Sequence, residues 1–222
     1  MRFARLNRLA AFAAVLGAVE CGGGGGGGGT QPPGPPTDLV KSGGDAQSWY
    51  FNNPLPTPLS VTVLDAAGHA VPNVVVTWAV SSGAGAVSPT TSTTNASGFA
   101  TTSDSVGSST IQTVSATFSG LAGPVSFTEH ADVAPTSAGV SVSDNVFSPN
   151  SAVIKTGGTV TWTWAGAATH NVTFTGGPTP RPANGPNQMS GTYTTAAITT
   201  LGTYNYTCTN HAGMNATVTV VH

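Results

Sequence analysis

The chain has 222 residues, of which 39% are hydrophobic and only 6% are charged, and its formal net charge is −2 at pH 7. This length allows two domains of ordinary size. Residues 1–21 hold three of the six basic and one of the eight acidic side chains, so the rest of the chain is acidic, near −4. It therefore lacks the basic field that nucleic-acid binding requires.

Residues 1–21 have the pattern of an export signal. Three arginines precede an apolar run from Leu9 to Val19, which is too short to span a bilayer as a helix. The stretch Leu16-Gly17-Ala18-Val19-Glu20-Cys21 resembles the lipobox of bacterial lipoproteins, in which the cysteine is acylated and becomes the new N-terminus. The resemblance implies an exported protein with a lipid anchor at Cys21. Glu20 stands where that family has a small residue, so plain secretion is the alternative.

Residues 22–37 are predicted to be a linker, because eight glycines are followed by a proline-rich stretch. A glycine-rich coil of about 16 residues spans roughly 20–25 Å, and its proline part is stiffer and more extended. We expect this segment to hold the folded domains away from a membrane surface.

Residues 38–132 are predicted to form the first folded domain. Short runs of alternating apolar and polar residues are separated by Gly, Asn and Pro, which is typical of an all-β sandwich. The predicted strands cover residues 59–65, 74–80, 98–102, 112–118 and 124–128. Trp78 is expected in the core. His130 and Glu129 are expected to form a solvated pair after the last strand.

The residues 63–78, with the phrase Thr94-Asn95-Ala96-Ser97-Gly98-Phe99-Ala100 further on, resemble the bacterial immunoglobulin-like repeats of invasin and intimin type. The resemblance covers most of the first domain. In that family these domains act as spacers and adhesin stalks, so it implies a spacer here.

Residues 137–222 are predicted to form a second all-β domain, a small Greek-key sandwich that follows a short link. Some eight strands are expected and no helical period is present. A loop rich in Pro and Gly is expected from the end of the strand beginning at His170 to about Ser190.

A short loop near the C-terminus carries a thiol, an imidazole and a thioether at positions i, i+3 and i+6. These side chains are Cys208, His211 and Met214, and His170 offers a second imidazole from an earlier strand. Two imidazoles, a thiolate and a weak thioether are the donors of a blue-copper electron-transfer site. Metal binding would also explain a lone thiol in an exported protein. Zinc could use the same donors, although methionine is unusual in zinc sites.

Four motifs of the second domain resemble those of the cupredoxins, especially plastocyanin, pseudoazurin and amicyanin. They are Phe147-Ser148-Pro149, residues 158–162, His170-Asn171-Val172 and residues 202–208. The spacing of Cys208, His211 and Met214 is that of the short amicyanin loop.

This resemblance implies one copper ion per chain, held by the four donors and cycling between Cu(I) and Cu(II). It also implies that Asn171 ties the strand of His170 to the ligand loop by hydrogen bonds around the sulfur. Two departures lie in the ligand loop: Asn210 stands where many members have proline, and Asn215 follows Met214 where glycine is frequent. Met189 and His222 are not needed as ligands.

These features predict an electron carrier outside the cytoplasmic membrane, docking an unidentified redox protein near His211. No enzyme activity is expected, because five scattered histidines cannot build the second copper centre of an oxidase or nitrite reductase. One alternative is a cell-surface adhesin or structural protein with a copper-stabilised module. Another is a periplasmic copper-binding protein, although the Met-rich or His-rich tracts of copper buffers are missing.

Overall fold

The computed structural model describes residues 32–222 of the chain. The predicted export signal, Cys21 and most of the predicted linker lie outside the described residues. Within the described part, the regular structure consists of strands, so the predicted all-β fold class is confirmed. Among these residues no helix has the length and hydropathy needed to cross a membrane.

Residues 36–132 form a sandwich of nine strands in two sheets. The strands are β1 (Pro36–Gly43), β2 (Ser48–Tyr50), β3 (Leu59–Asp65), β4 (Val75–Ser82), β5 (Ala86–Ser88), β6 (Thr91–Thr93), β7 (Phe99–Ser105), β8 (Ile111–Thr117) and β9 (Val125–Asp132). One sheet has the order β1-β3-β7-β5 and the other β2-β9-β8-β4-β6. β1 begins inside the segment predicted as linker.

The core of this first sandwich follows from the alternation in its longer strands. In β3, Val61 and Val63 are fully buried, and in β4 the ring of Trp78 packs 5.9 Å from that of Phe127 in β9. Trp78 is 1% exposed, as expected of a core residue, and its indole N–H donates to Ser92 Oγ. Alternate residues of each strand face this core because strand side chains have a period of two.

The prediction of a solvated pair formed by Glu129 and His130 is wrong. Both residues lie within β9, where neighbours point to opposite faces of the sheet. The side chain of Glu129 is therefore fully buried, and it accepts a 2.7 Å hydrogen bond from Gln47 N–H. Burial raises the pKa of Glu129 to about 7 and also raises the pKa of the neighbouring Asp104.

Residues 137–221 form a second sandwich, also with nine strands. They are β10 (Ser137–Ser143), β11 (Val146–Ser148), β12 (Ser151–Lys155), β13 (Thr159–Trp164), β14 (His170–Gly176), β15 (Gly185–Gln188), β16 (Gly191–Thr194), β17 (Gly202–Thr207) and β18 (Asn215–Val221). The sheets have the orders β11-β10-β13-β16 and β12-β18-β17-β14-β15. The pairs β10 with β13 and β12 with β18 are parallel, and the other pairs are antiparallel.

Aromatic side chains fill the core of the second sandwich. The rings of Trp162 and Tyr206 meet edge to face at 5.3 Å, and Phe174 lies 5.7 Å from Tyr206. Because Tyr206 and Cys208 are two residues apart on the same side of the chain, the core continues directly into the thiol. Burial raises the pKa of Tyr206 to about 12.

The expectation of an irregular loop up to about Ser190 is wrong in one part, because β15 lies within it. β15 pairs with β14, with His170 opposite Gln188 and Val172 opposite Gly185. Gly185 leaves room for the ring of Tyr193, since a Cβ atom there would lie 2.8 Å from Tyr193 Cδ1. This glycine of the predicted loop therefore lies in a strand and allows close packing.

Candidate metal centre

The antiparallel pairing of β14 and β17 brings the predicted donors to one end of a sheet. Thr173 of β14 lies opposite Thr207, the last residue of β17. His170 is the first residue of β14, and Cys208 directly follows β17. The start of one strand therefore meets the end of the other, and a donor separated by 37 residues of sequence comes close to the thiol.

The loop from Cys208 to Met214 is closed by its own backbone. Cys208 N–H donates to Met214 O at 3.0 Å, and Met214 N–H donates to His211 O at 3.3 Å. Gly213 has φ of +80°, a left-handed conformation that glycine adopts at little cost. The loop therefore turns within seven residues and delivers Met214, which is 2% exposed, to the start of β18.

The two imidazoles converge on the thiol through the same type of ring nitrogen. Cys208 Sγ lies 3.7 Å from His170 Nδ1 and 3.6 Å from His211 Nδ1, and the two rings are 4.4 Å apart. By the bond lengths of zinc sites, a nitrogen and a sulfur on one ion lie about 3.6–3.8 Å apart. The residues present therefore fit a single soft first-row metal ion.

The thiol is buried and has a backbone N–H group beside it. Cys208 is 2% exposed, and Asn171 N–H points at Sγ from 3.5 Å. A metal ion would bind this sulfur as its thiolate.

The side chain of Asn171 joins the strand of His170 to the ligand loop. Its amide donates to Thr209 Oγ1 at 2.7 Å and to Asn187 Oδ1 at 2.9 Å. Its carbonyl oxygen accepts Thr209 N–H at 3.0 Å. The structure thus places Asn171 where the family resemblance expected it, beside the sulfur and between two chain segments.

Two further contacts of the ligand loop were not expected from the sequence. Asn210, which stands where many cupredoxins have proline, donates to Thr169 O at 2.9 Å and to Asn187 Oδ1 at 3.0 Å. Asn187 therefore accepts from both Asn171 and Asn210. No sequence signal identified Asn187, because it lies in the stretch predicted as irregular loop.

The second ring nitrogen of His170 faces a carboxylate. His170 Nε2 lies 3.5 Å from Asp144 Oδ1, and the same oxygen accepts the N–H groups of Ala167 and Ala168 at 2.9 Å each. The Ala168 N–H group, followed by the contact with His170, lowers the pKa of Asp144 below its usual value. Sequence reasoning did not identify Asp144 as part of the site.

The two histidines differ in access to solvent. His170 is 0% exposed, whereas His211 is half-buried and is followed by exposed Ala212 and Gly213. Met189 is 55% exposed. Within residues 32–222 the only cluster of three or more potential His, Cys or carboxylate ligands is His170, Cys208 and His211.

Comparison with known families matches the two sandwiches separately. Residues 52–130 match the bacterial Ig-like domain (group 1), and residues 134–221 match the copper binding proteins of the plastocyanin/azurin family. Among solved structures, an amicyanin mutant in its reduced state is 32% identical, with 38% of this chain and 82% of that chain covered and a TM-score of 0.34. The D00–D0 domain of intimin is 23% identical, with 44% and 46% covered and a TM-score of 0.36.

The similarity to a plastocyanin is closer in sequence. Plastocyanin of Scenedesmus fuscus is 39% identical over 85 residues, which cover 34% of this chain and 86% of the plastocyanin. The donors His170, Cys208, His211 and Met214 have the arrangement typical of a blue copper site, with which the family binds one copper ion. The first sandwich matches the bacterial Ig-like domain (group 1), and through its second sandwich the chain belongs to the plastocyanin/azurin family of copper binding proteins.

Proposed function

We propose that this protein carries single electrons between redox partners outside the cytoplasmic membrane. The observation that carries the proposal is the convergence of two imidazoles on one buried thiol, with one imidazole reaching the surface. His170, Cys208 and His211 would hold copper, and Met214 would supply a weak fourth donor. When bound, copper supplies the one-electron couple between Cu(II) and Cu(I).

The protein's own contribution is a rigid set of donors. His170 begins a paired strand, Cys208 directly follows another, and the side chain of Asn171 ties the two segments together. Donors that are held by strands and hydrogen bonds shift little when the charge at the site changes. A small rearrangement on each transfer is what a carrier needs.

The half-buried ring of His211 is the proposed port for electrons. Its neighbours Ala212 and Gly213 are small and exposed, so another protein can approach the ring closely. We expect an unidentified redox protein to dock here weakly. The family's members are electron carriers, which favours a carrier over an enzyme.

We also propose that the protein is exported and tethered by a lipid on Cys21. Both families are typically found outside the cytoplasm, and residues 1–21 have the lipobox-like pattern described above. A Cys21→Ser variant should move from the membrane fraction to the soluble exported fraction, while the unaltered chain should incorporate labelled fatty acid. If the unaltered chain and the Cys21→Ser variant appear equally in the soluble exported fraction, the protein is secreted without a lipid anchor.

The function is tested on the full chain loaded with Cu(II). An intense visible band from thiolate-to-copper charge transfer is expected, and Cys208→Ser should abolish it. Met214→Leu should keep the copper but change its reduction potential, because only the weak thioether donor is removed. A copper-loaded wild-type protein without this band would refute the blue copper assignment.

A second candidate is an adhesin or surface-structural protein in which copper only stabilises a module. The Ig-like domain at residues 52–130 favours it. The two functions differ in redox behaviour: a carrier must exchange electrons quickly and reversibly with an added donor and acceptor, whereas a stabilising ion need not. Slow or irreversible reduction of the bound copper would favour the second candidate.

A further inference from the structure

Asp144 is the only Asp or Glu in the second sandwich, residues 137–222. Its carboxylate lies next to the buried imidazole of His170, on the side of the ring that faces away from Cys208. The ring of His170 stands between two groups, with Nδ1 at 3.7 Å from Cys208 Sγ and Nε2 at 3.5 Å from Asp144 Oδ1. The only carboxylate of this domain therefore contacts one of the proposed copper ligands, His170.

The position of this carboxylate is fixed by the backbone. Asp144 lies in the turn between β10 and β11, and its Oδ1 accepts the N–H groups of Ala167 and Ala168 in the loop that leads into His170. Gly166 of the same loop has no side chain, and a Cβ atom there would collide with the Asp144 carboxylate. The loop is therefore shaped around Asp144, which holds the start of β14 in place.

We propose that Asp144 is a positioning residue that orients His170 and lowers the reduction potential of the copper it binds. The inference rests on the proposed function, because it requires copper at His170. A metal on Nδ1 leaves the imidazole proton on Nε2, where it is donated to the carboxylate. A negative acceptor behind the ring makes the imidazole a stronger donor and favours the more positive Cu(II) state.

The expected size of the effect follows from the exposure of the carboxylate. The side chain of Asp144 is 52% exposed, so water and salt screen its charge. Loss of an outer-shell partner typically changes metal affinity by about 10-fold to 100-fold, and screening places Asp144 at the lower end. If the tenfold loss of affinity falls on Cu(II) and leaves Cu(I) binding unchanged, as expected for the loss of a negative charge, it equals about 59 mV for a one-electron couple.

The decisive variant is Asp144→Asn in the full copper-loaded chain. Asparagine keeps an oxygen that can accept from Ala167, Ala168 and His170, but it removes the charge. The matched control is Asp132→Asn, which removes the same charge at an exposed position of the first sandwich. Redox titration at constant pH and salt should show a higher potential in D144N by about 59 mV and no comparable rise in D132N.

A second measurement starts from the wild-type chain, so its main result does not depend on how a variant folds. In the wild-type chain loaded with Cu(I), which is diamagnetic, the Nε2–H resonance of His170 should be shifted downfield and protected from exchange with water. Asp144→Ala should lose that protection, because it removes the acceptor.

Equal potentials in D144N and D132N would overturn the proposal and reduce Asp144 to a structural cap of the loop. An unprotected Nε2–H signal in the wild-type chain would overturn it as well. Failure of the proposed function gives a different result, since the wild-type chain itself would then lack the charge-transfer band or a reversible copper couple.

Discussion

Replacing Asn171 by alanine tests whether the hydrogen bonds between β14 and the ligand loop hold the site together. The change removes three short hydrogen bonds, two with Thr209 and one with Asn187. Each is worth about 0.5–1.5 kcal/mol net, and the freed groups on the exposed loop can rebond to water, so we expect a loss of about 2 kcal/mol. The backbone N–H of residue 171 still points at the sulfur, so the copper-thiolate band should survive.

The assay is hydrogen exchange of the backbone amides of β18 in the copper-free full chain. These amides lie in the centre of the second sandwich, so they exchange when the domain opens as a whole. A loss of about 2 kcal/mol raises the population of the open state roughly 30-fold, since 1.4 kcal/mol is a factor of about ten. Copper should also dissociate faster from N171A than from the wild-type chain.

The matched control is Thr203→Val, which removes an exposed cross-strand contact with Thr219 of 3.1 Å far along the same sheet. A surface change of this kind should alter stability by less than about 0.5 kcal/mol. If exchange in N171A is no faster than in T203V, the reasoning fails and the loop is held by its backbone alone.

Three other predictions concern stability and the ligand loop. The raised pKa of Glu129, about 7 against 4.5, means that its stabilising protonated state is fully present below pH 4.5 and is lost as the pH rises through 7. The first sandwich should therefore lose up to about 3 kcal/mol over that range, and E129Q should reduce this decline in unfolding free energy measured from pH 4 to 8, with Asp104, whose pKa is also raised, accounting for what remains. Gly185→Ala should destabilise the second sandwich by about 1–3 kcal/mol in urea unfolding, because its Cβ would press on Tyr193; an unchanged midpoint would contradict the packing. Asn210→Ala should speed copper loss to a chelator, because two hydrogen bonds of the ligand loop are removed, whereas a loop stiffened by its backbone alone would release copper at the wild-type rate.

The acidity of the chain beyond residue 21 was readable from composition alone. The importance of Asp144 was not, because its contact with His170 spans 26 residues of sequence. The contact exists because β10, which precedes Asp144, pairs in parallel with β13, which precedes the loop to His170. Long-range strand pairing of this kind leaves no local pattern in the sequence.

The positions of the strands were predicted better than the side of the sheet on which each residue lies. Glu129 and His130 looked like a solvated pair because both are polar, yet the register of β9 places Glu129 in the core. β15 was missed because Gly185 and Pro186 signal a turn in isolation. Its conformation comes from pairing with β14 and from packing against Tyr193.

The sequence by itself determined the fold class and most of the donor set. Strand patterns depend on local alternation, and Cys208, His211 and Met214 lie within one loop, so their spacing already limits how they can meet. Only the tertiary structure decided which groups surround those donors: Asp144 behind His170, and Asn171, Asn187 and Asn210 around the ligand loop. The reason is physical, since these contacts join segments that meet only after the sheets have paired.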